Sequence, residues 1–315
     1  MKKILALVLA LCMCLGMVAT TALADNLPKI AFLGPVVTHG WVSGVTYNAE
    51  QYLTALANEG KLEFKVYTST NADEMTSQMD EAMLWGADAM ILAPQWTGME
   101  IPVQAAVNEG VVIVNFDIDI AVEGVYKITG DNYGMGVESA KYIVERVGTE
   151  GTVVALPVPT SGSVSELRMA GFNDTIKEIA PNLTVLEYAT AAFTRDAGLA
   201  VVADILVKNP QVDAIFSMDD ENSIGALQAI ADAGRTDVKA ITGGGGCQDY
   251  FNILVAAEGI DACSVLYSPL MVMDCVDAAL AVLAGETVEA IKVIPTTIVD
   301  KTNAGEYIDP NNTVY

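Results

Sequence analysis

Short runs of Val, Ile and Ala alternate with amphipathic stretches of helical length along most of the chain, and this alternation restricts the possible fold more than any other feature. KIAFLG is followed by a helical stretch that closes at Gly60, and LEFKVYTS by one that closes at Gly86. A glycine in the left-handed conformation is the usual end of a helix. Strands that alternate with helices in this way pair in parallel, with helices on both faces, so the sequence predicts an α/β fold.

The strand–helix pattern starts again in the second half of the chain. VYKITGDN, GTVVALPVP and LTVLEYAT are further strand candidates, and a helical stretch follows each of them. Two such sets of units in a chain of 315 residues predict two similar, doubly wound parallel-sheet lobes rather than one long sheet. Sheets of this kind bind ligands at the carboxyl ends of their strands, so we expect a site in the cleft between the lobes.

The first 24 residues have the features of a secretory signal peptide. Two lysines precede an apolar stretch, and Ala22-Leu23-Ala24 forms a small-residue cleavage site. The mature chain is therefore expected to begin at Asp25 and to be exported to the periplasm or the outer cell surface. Lipid attachment at Cys12 or Cys14 is the alternative, but Leu11 and Met13 precede them where such sites carry Ala or Gly. No later segment is long and apolar enough to predict a membrane span.

Charge and cysteine content indicate which partners and metal sites the chain is not expected to have. The chain has 40 acidic against 16 basic residues, which disfavours nucleic acid and anionic lipid as partners. Cys247, Cys263 and Cys275 remain after processing, and their odd number without a CxxC spacing predicts neither a disulfide framework nor a zinc site. We therefore expect no metal and no cofactor.

One apolar strand ends in two acidic residues. GVVIVNFDID delivers Asp117 and Asp119 where the apolar run stops, and side chains two apart on a strand point to the same face. Both carboxylates are then expected at the mouth of the cleft. The alternative for Asp119, and also for Glu166 farther along the chain, is an exposed position on an acidic surface.

Three motifs carry a resemblance to a known family. TGDN at 129–132, RMAGF at 168–172 and FSMDDENSIGALQAI at 216–230 occur in the order and spacing of the ribose-binding protein family, the type I periplasmic sugar-binding components of ABC transporters. The resemblance runs from Lys29 to Thr297. It implies two lobes that close on a ligand by hinge motion and a hinge of three chain segments.

The resemblance also implies where the lobes begin and end. Crossings between lobes are expected near Gly130, Ser268 and Pro295. The expected boundaries are 26–129 plus 268–294 for the N-terminal lobe and 130–267 plus 295–315 for the C-terminal lobe.

The family grips a sugar between aromatic faces and holds its hydroxyls with polar side chains, so the resemblance implies site residues. THGWVSG puts Trp41 at one stacking position, with Thr38 and His39 beside it, and AAFTRD puts Phe193 at the partner position. Asp117 falls where the family has a hydroxyl-binding Asp, and a carboxylate can accept two hydroxyl hydrogen bonds at once.

Several positions depart from the family pattern. Ile118 and Glu166 stand where the family usually has arginines, Asp219 replaces an Asn, Gly244 replaces an Asp, and Tyr267 replaces a Gln. Because guanidiniums recognise carboxylates and phosphates, their loss predicts a neutral sugar, a polyol or an amino sugar instead of an acidic ligand. The expected ligand-binding residues are Thr38, His39, Trp41, Asp117, Asp119, Glu166, Phe193, Asp219 and Tyr267.

These features predict a monomeric binding protein that captures a small carbohydrate for an ABC permease. The alternative is a sugar or autoinducer-2-like receptor that signals to a chemosensor or sensor kinase. An enzyme is disfavoured because His39 is the only histidine, and Asp117-Ile118-Asp119 is too short a pattern to indicate a metal-dependent glycosyltransferase. The export signal and the acidic charge disfavour a DNA-binding regulator.

Overall fold

The structure is a computed structural model that describes residues 27–36 and 40–315. Five predicted features therefore lie outside the described residues: the signal peptide at 1–24, the alternative lipid sites Cys12 and Cys14, and the ligand-binding candidates Thr38 and His39.

The strands are short and mostly buried on both faces. Alternate residues of the first strand, Ile30 and Phe32 against Ala31 and Leu33, pack on opposite sides of the sheet and are fully buried. Because both faces are buried, the sequences of these strands are continuous apolar runs. In chain order they are β1 (Lys29–Pro35), β2 (Glu63–Ser69), β3 (Ala89–Leu92), β4 (Val112–Phe116), β5 (Tyr126–Gly130), β6 (Glu150–Leu156), β7 (Asn182–Glu187), β8 (Ala214–Ser217), β9 (Ala240–Gly244), β10 (Asp261–Val265), β11 (Ile291–Ile294) and β12 (Ile298–Asp300).

The helices follow the strands with the capping chemistry that their sequences indicate. Asn71 accepts a hydrogen bond from the Glu74 amide at the start of the second helix, and Gly86 ends it with a φ of 84°. No helix of the described residues is long and apolar enough to cross a membrane. The helices are α1 (Gly40–Asn58), α2 (Ala72–Trp85), α3 (Glu100–Asn108), α4 (Asn132–Val147), α5 (Ser163–Ile179), α6 (Arg195–Lys208), α7 (Asp220–Asp232), α8 (Gln248–Ala256) and α9 (Val272–Leu283).

The strands form two six-stranded sheets, one in each lobe. The first has the order β11-β5-β4-β3-β1-β2 and is parallel throughout. The second has the order β12-β10-β9-β8-β6-β7, and only the β10–β12 pair is antiparallel. Helices cover both faces of each sheet, so the prediction of two doubly wound α/β lobes is confirmed.

The chain changes sheets at three places. It leaves the first sheet after Gly130, returns between Val265 and Ile291, and leaves again between Ile294 and Ile298. The lobe boundaries expected near Gly130, Ser268 and Pro295 stay a prediction. A cluster of buried apolar residues extends through both lobes across these crossings, whereas each lobe has a separate cluster on its outer sheet face.

Two glycines allow α4 and α5 to approach closely in the second lobe. A Cβ on Gly136 would overlap the backbone of α5 at Arg168, and one on Gly171 would overlap the backbone of α4 at Tyr133. This close crossing brings Arg168 of α5 beside Asn132 at the start of α4. It therefore determines the position of the one arginine that reaches the cleft.

Replacing Gly171 by Ala should lower the free energy of unfolding by about 1–3 kcal/mol, because the new methyl group forces two packed backbones apart. Urea unfolding measures this loss. Ala170→Ser on the exposed side of the same helix is the control and should have little effect. Equal stability of the Gly171→Ala variant and the wild type would contradict the close crossing.

Candidate functional site

A cavity of about 330 Å³ lies between the carboxyl ends of the two sheets. Its size is typical of a site for a small molecule. One wall comes from the first lobe, the other from the second lobe, and Tyr267 of the second crossing lies between them. The lining residues are Pro35, Val36, Trp41, Thr70, Gln95, Trp96, Asp117, Ile118, Val158, Thr160, Ser161, Val164, Arg168, Ala192, Phe193, Asp219, Gly244, Gly245 and Tyr267.

Asp117 occupies the end of β4 in a strained conformation. Its φ of 68° is the only positive φ of a residue other than glycine among residues 27–36 and 40–315. Such strain is retained where the surrounding structure fixes it, often at functional sites. The Asp117 amide donates to the Ile128 carbonyl (3.0 Å), and its Oδ1 accepts a hydrogen bond from the Tyr267 hydroxyl (2.6 Å). Removal from water raises the pKa of Asp117, against the opposing effects of the Tyr267 hydroxyl and the Arg168 charge.

Tyr267 connects the hinge to both lobes. Its hydroxyl lies 3.1 Å from Thr129 Oγ1 and accepts a longer hydrogen bond from Asn132 Nδ2 (3.4 Å). Its carbonyl accepts from the indole Nε1 of Trp41 (2.8 Å). The side chain is buried, and this burial, together with the Asp117 charge, raises the pKa of Tyr267 so that the phenol stays protonated. A neutral phenol can donate to the Asp117 carboxylate.

Arg168 is a cavity residue that sequence reasoning missed. We used it only as part of a family motif. The loss of arginines at positions 118 and 166 stands, but Arg168 brings another guanidinium to the cavity. Its Nε donates to Asn132 Oδ1 (2.9 Å) and its Nη1 to the Met218 carbonyl (2.7 Å). Its guanidinium carbon lies 4.8 Å from the Tyr267 ring centre, within cation–π range. A signal was present, because Arg168 shares the apolar face of α5 with Val164 and Phe172 at intervals of four residues.

Three aromatic side chains bring apolar surface to the cavity. Trp41 is mostly buried, and its ring stacks on Phe116 with centroids 5.9 Å apart, so it is both a core residue and a cavity wall. Phe193 reaches the cavity from the second lobe, where the Arg168 guanidinium carbon lies 5.8 Å from its ring centre. Trp96, in the loop after β3, also lines the cavity. Trp96 was not predicted, because it lies in a loop without periodicity or motif.

Asp219 brings a second carboxylate to the cavity. It caps α7 by accepting from the Asn222 amide (3.0 Å), and its side chain is buried. Burial and the neighbouring Asp220 carboxylate raise the pKa of Asp219 to about 8. The Arg168 guanidinium favours the charged form but does not offset these two effects.

Asp220 binds the loop of four consecutive glycines at 243–246, which forms part of the second-lobe wall of the cavity. Its Oδ2 accepts from the Gly246 amide (2.8 Å), the Cys247 amide (3.0 Å) and Ser264 Oγ (2.9 Å). Burial raises the pKa of Asp220 to about 6 despite these three donors. The preceding residues Gly244 and Gly245 line the cavity with backbone.

The structure brings five of the predicted site residues together in the cavity: Trp41, Asp117, Phe193, Asp219 and Tyr267. It does not place Asp119 or Glu166 there. Asp119 pairs with Lys127 (2.5 Å), and 64% of its side chain is exposed. The two-residue alternation fails because β4 ends at Phe116 and Asp117 has a positive φ. Glu166 lies on the exposed side of α5. It is two residues from Val164 and from Arg168, which line the cavity, and residues two apart on a helix point in nearly opposite directions.

Cys247, Cys263 and Cys275 are buried free thiols. No group of three or more His, Cys, Asp or Glu side chains among the described residues could hold a metal ion. Among the described residues, the cavity is lined by the carboxyl groups of Asp117 and Asp219, which accept hydrogen bonds, the guanidinium of Arg168, which donates them, and aromatic faces. This combination suits a small molecule that carries both hydroxyl groups and apolar C–H surface.

A family model and curated relatives match the chain. The model described as "Periplasmic binding protein domain" matches residues 30–287. The D-allose-binding periplasmic protein of Escherichia coli is 28% identical over 50% of this chain and 53% of its own length. The xylitol-binding protein of Mycolicibacterium smegmatis is 27% identical over 78% of this chain and 70% of its own length. The matched region thus spans only about half the length of the first relative.

Solved structures have the same fold over nearly the whole chain. An ABC transporter periplasmic solute-binding protein from Actinobacillus succinogenes with bound D-allose has a TM-score of 0.80 and 20% identity, covering 89% of this chain and 100% of that one. A Mycobacterium smegmatis protein in complex with β-D-fucofuranose has a TM-score of 0.77 and 23% identity, covering 90% and 94%. At these identities the likeness concerns the fold alone.

Asp219→Asn should stabilise the protein increasingly as pH rises. The pKa of Asp219 is raised to about 8 in the folded protein, whereas an Asp in the unfolded chain loses its proton near pH 4. The free energy of unfolding therefore falls as the pH rises from about 4 to about 8. Asn retains the helix cap without this titration. We expect a gain of at least about 1 kcal/mol at pH 8 and less at pH 5, measured by urea unfolding. Asp204→Asn, at an exposed position, is the control; a pH-independent difference would refute the prediction.

Proposed function

The chain belongs to the periplasmic binding protein domain family, whose model matches residues 30–287, and on that basis we propose that it captures a small hydroxylated ligand for an ABC importer. Family membership confirms the resemblance found in the sequence and the prediction of a binding protein rather than an enzyme. The observation that carries the proposal is a cavity between two lobes that combines aromatic faces with carboxylates and a guanidinium.

The polar groups of the cavity favour a sugar or polyol. Carboxylate oxygens of Asp117 and Asp219 accept hydrogen bonds, and the Arg168 guanidinium donates them. A hydroxyl group can do both, so adjacent hydroxyls on one molecule can satisfy these side chains together. Trp41 and Phe193 come from opposite lobes, and their faces suit the C–H surfaces of a sugar ring.

The charge of the cavity disfavours an acidic ligand. Asp117 and Asp219 both lie within the electrostatic range of Arg168, and burial already raises the pKa of both carboxyl groups. A further anion would compete with Asp117 for the Arg168 guanidinium and would raise the pKa of Asp219 further. A ligand carboxylate or phosphate would meet Arg168 only beside these two acids. The proposed ligand is therefore a neutral sugar, a polyol or an amino sugar.

Binding is proposed to stabilise the closed arrangement of the lobes. A ligand that contacts both walls binds the closed form more tightly than the open form, and this difference shifts the population. The permease would then distinguish the two forms. Relatives such as the ribose import binding protein of Bacillus subtilis, 27% identical over 54% of this chain, favour import over a signalling receptor.

The family supports a periplasmic location. We further propose that residues 1–24 are removed as a signal peptide and that the mature protein acts as a monomer. Intact-mass measurement of the secreted chain distinguishes cleavage after Ala24 from lipid attachment at Cys12 or Cys14.

A thermal-shift screen identifies the ligand class, because a ligand that binds only the folded protein raises Tm. The panel contains neutral sugars, polyols, amino sugars, nucleosides, uronic acids and sugar phosphates. We expect the largest increases from neutral or amine-bearing members. A larger increase with a uronic acid or sugar phosphate would contradict the ligand class, and no increase with any member would contradict carbohydrate binding.

Asp117→Asn should weaken binding of the best ligand from this screen at least tenfold, about 1.4 kcal/mol. Asn tolerates a positive φ, so the backbone is preserved while the charged acceptor is lost. Asp119→Asn is a matched control two residues away, outside the cavity, and should change affinity less than about twofold. Calorimetric titration measures both. Equal effects of the two substitutions would place the site elsewhere.

A further inference from the structure

Tyr315 belongs to a tail that is bound to the second lobe. The side chain of Gln248 on α8 donates to the Tyr307 carbonyl (3.2 Å) and accepts from the Asp309 amide (2.7 Å). Asn312 then closes a turn by donating to the Tyr315 carbonyl (2.8 Å). These hydrogen bonds hold the Tyr315 backbone against the second lobe.

The ring of Tyr315, however, packs on the first lobe. A Cβ on Gly40 would lie 2.6 Å from Tyr315 Cδ2, and one on Gly44 would lie 3.1 Å from Tyr315 Cβ. Both glycines are in the first two turns of α1, and their missing side chains leave room for the ring. Tyr315 is only 4% exposed. The ring therefore fills a contact between the lobes at the start of α1.

The hydroxyl of Tyr315 points to the back of the cavity wall. It lies beside Gly245, where an added Cβ would overlap it. It has no hydrogen-bond partner within the part of the chain that the structure describes. A buried hydroxyl without a partner lowers stability, so the ring must provide the favourable part of the contact.

We propose that Tyr315 is a positioning residue for ligand binding. Its ring, carried by the second lobe, docks on α1 of the first lobe and holds the two lobes in the orientation that forms the cavity, even without ligand. Tyr315 does not itself line the cavity. It acts on affinity through the population of the binding-competent orientation, because apparent affinity falls in proportion to that population.

Hydrogen exchange of the ligand-free protein tests this contact directly. The full chain is compared with Tyr315→Ala, with Tyr315→Phe, and with Val314→Ala at the more exposed neighbouring position as the control. In Tyr315→Ala, amides of residues 40–47 should exchange at least about threefold faster, while those of α8 at 248–256 stay unchanged. Tyr315→Phe and Val314→Ala should match the wild type, because the ring is retained in both.

Other exchange patterns would overturn the proposal. Unchanged exchange at 40–47 in Tyr315→Ala would show that the ring does not hold α1. Equally faster exchange at 248–256 would show a role confined to the structure of the second lobe. Loss of protection in Tyr315→Phe would show that the hydroxyl, and not the ring, makes the contact.

A distance measurement tests the effect on lobe orientation. Spin labels are placed at Glu81→Cys on α2 and Glu178→Cys on α5, both exposed and on different lobes, whereas Cys247, Cys263 and Cys275 are buried. Tyr315→Ala should shift the ligand-free distance distribution to longer values, and Tyr315→Phe should not. Identical distributions for Tyr315→Ala and the wild type would overturn the proposal. Because no ligand is used, this outcome is independent of the carbohydrate screen.

Discussion

The hydrogen bond from the Tyr267 hydroxyl to the Asp117 carboxylate is the contact on which the site depends. It joins the end of a first-lobe strand to a hinge segment, and the Tyr267 carbonyl also receives the indole N–H of Trp41. Asp117 keeps a left-handed backbone that costs energy, so the surrounding contacts must hold it there. One tyrosine thus orients a carboxylate and an aromatic wall of the cavity together.

The buried charge of Arg168 also depends on its neighbours. Arg168 is buried and costs free energy unless its donors are satisfied and opposite charges lie near it. Asn132 and the Met218 carbonyl accept hydrogen bonds from its donors, and Asp117 is the opposite charge near it. The close α4–α5 crossing makes this possible by placing Arg168 against Asn132. The packing of α4 on α5 therefore determines the electrostatics inside the cavity.

The amino-acid sequence contained enough information for the architecture. Buried parallel strands need apolar residues on both faces and helices need a periodic apolar stripe, so the alternation of the two patterns is visible without a structure. Trp41, Asp117, Phe193, Asp219 and Tyr267 were also found, since residues at the carboxyl ends of strands and at motif positions are expected at the cleft. Asp117 follows from the end of an apolar strand, whereas the other four positions are implied by the resemblance to the family.

Tertiary structure alone decided the remaining features. Asp119 was expected beside Asp117, but a positive φ at Asp117 turns the chain, and no composition or spacing signals that turn. Arg168 was not predicted as a site residue, because its position depends on partners distant in sequence, Asn132 and Met218. Tyr315 meets Gly40 across 275 positions of the chain. Sequence periodicity reports which face a residue occupies within its own element, whereas contacts between elements depend on how the lobes pack against each other.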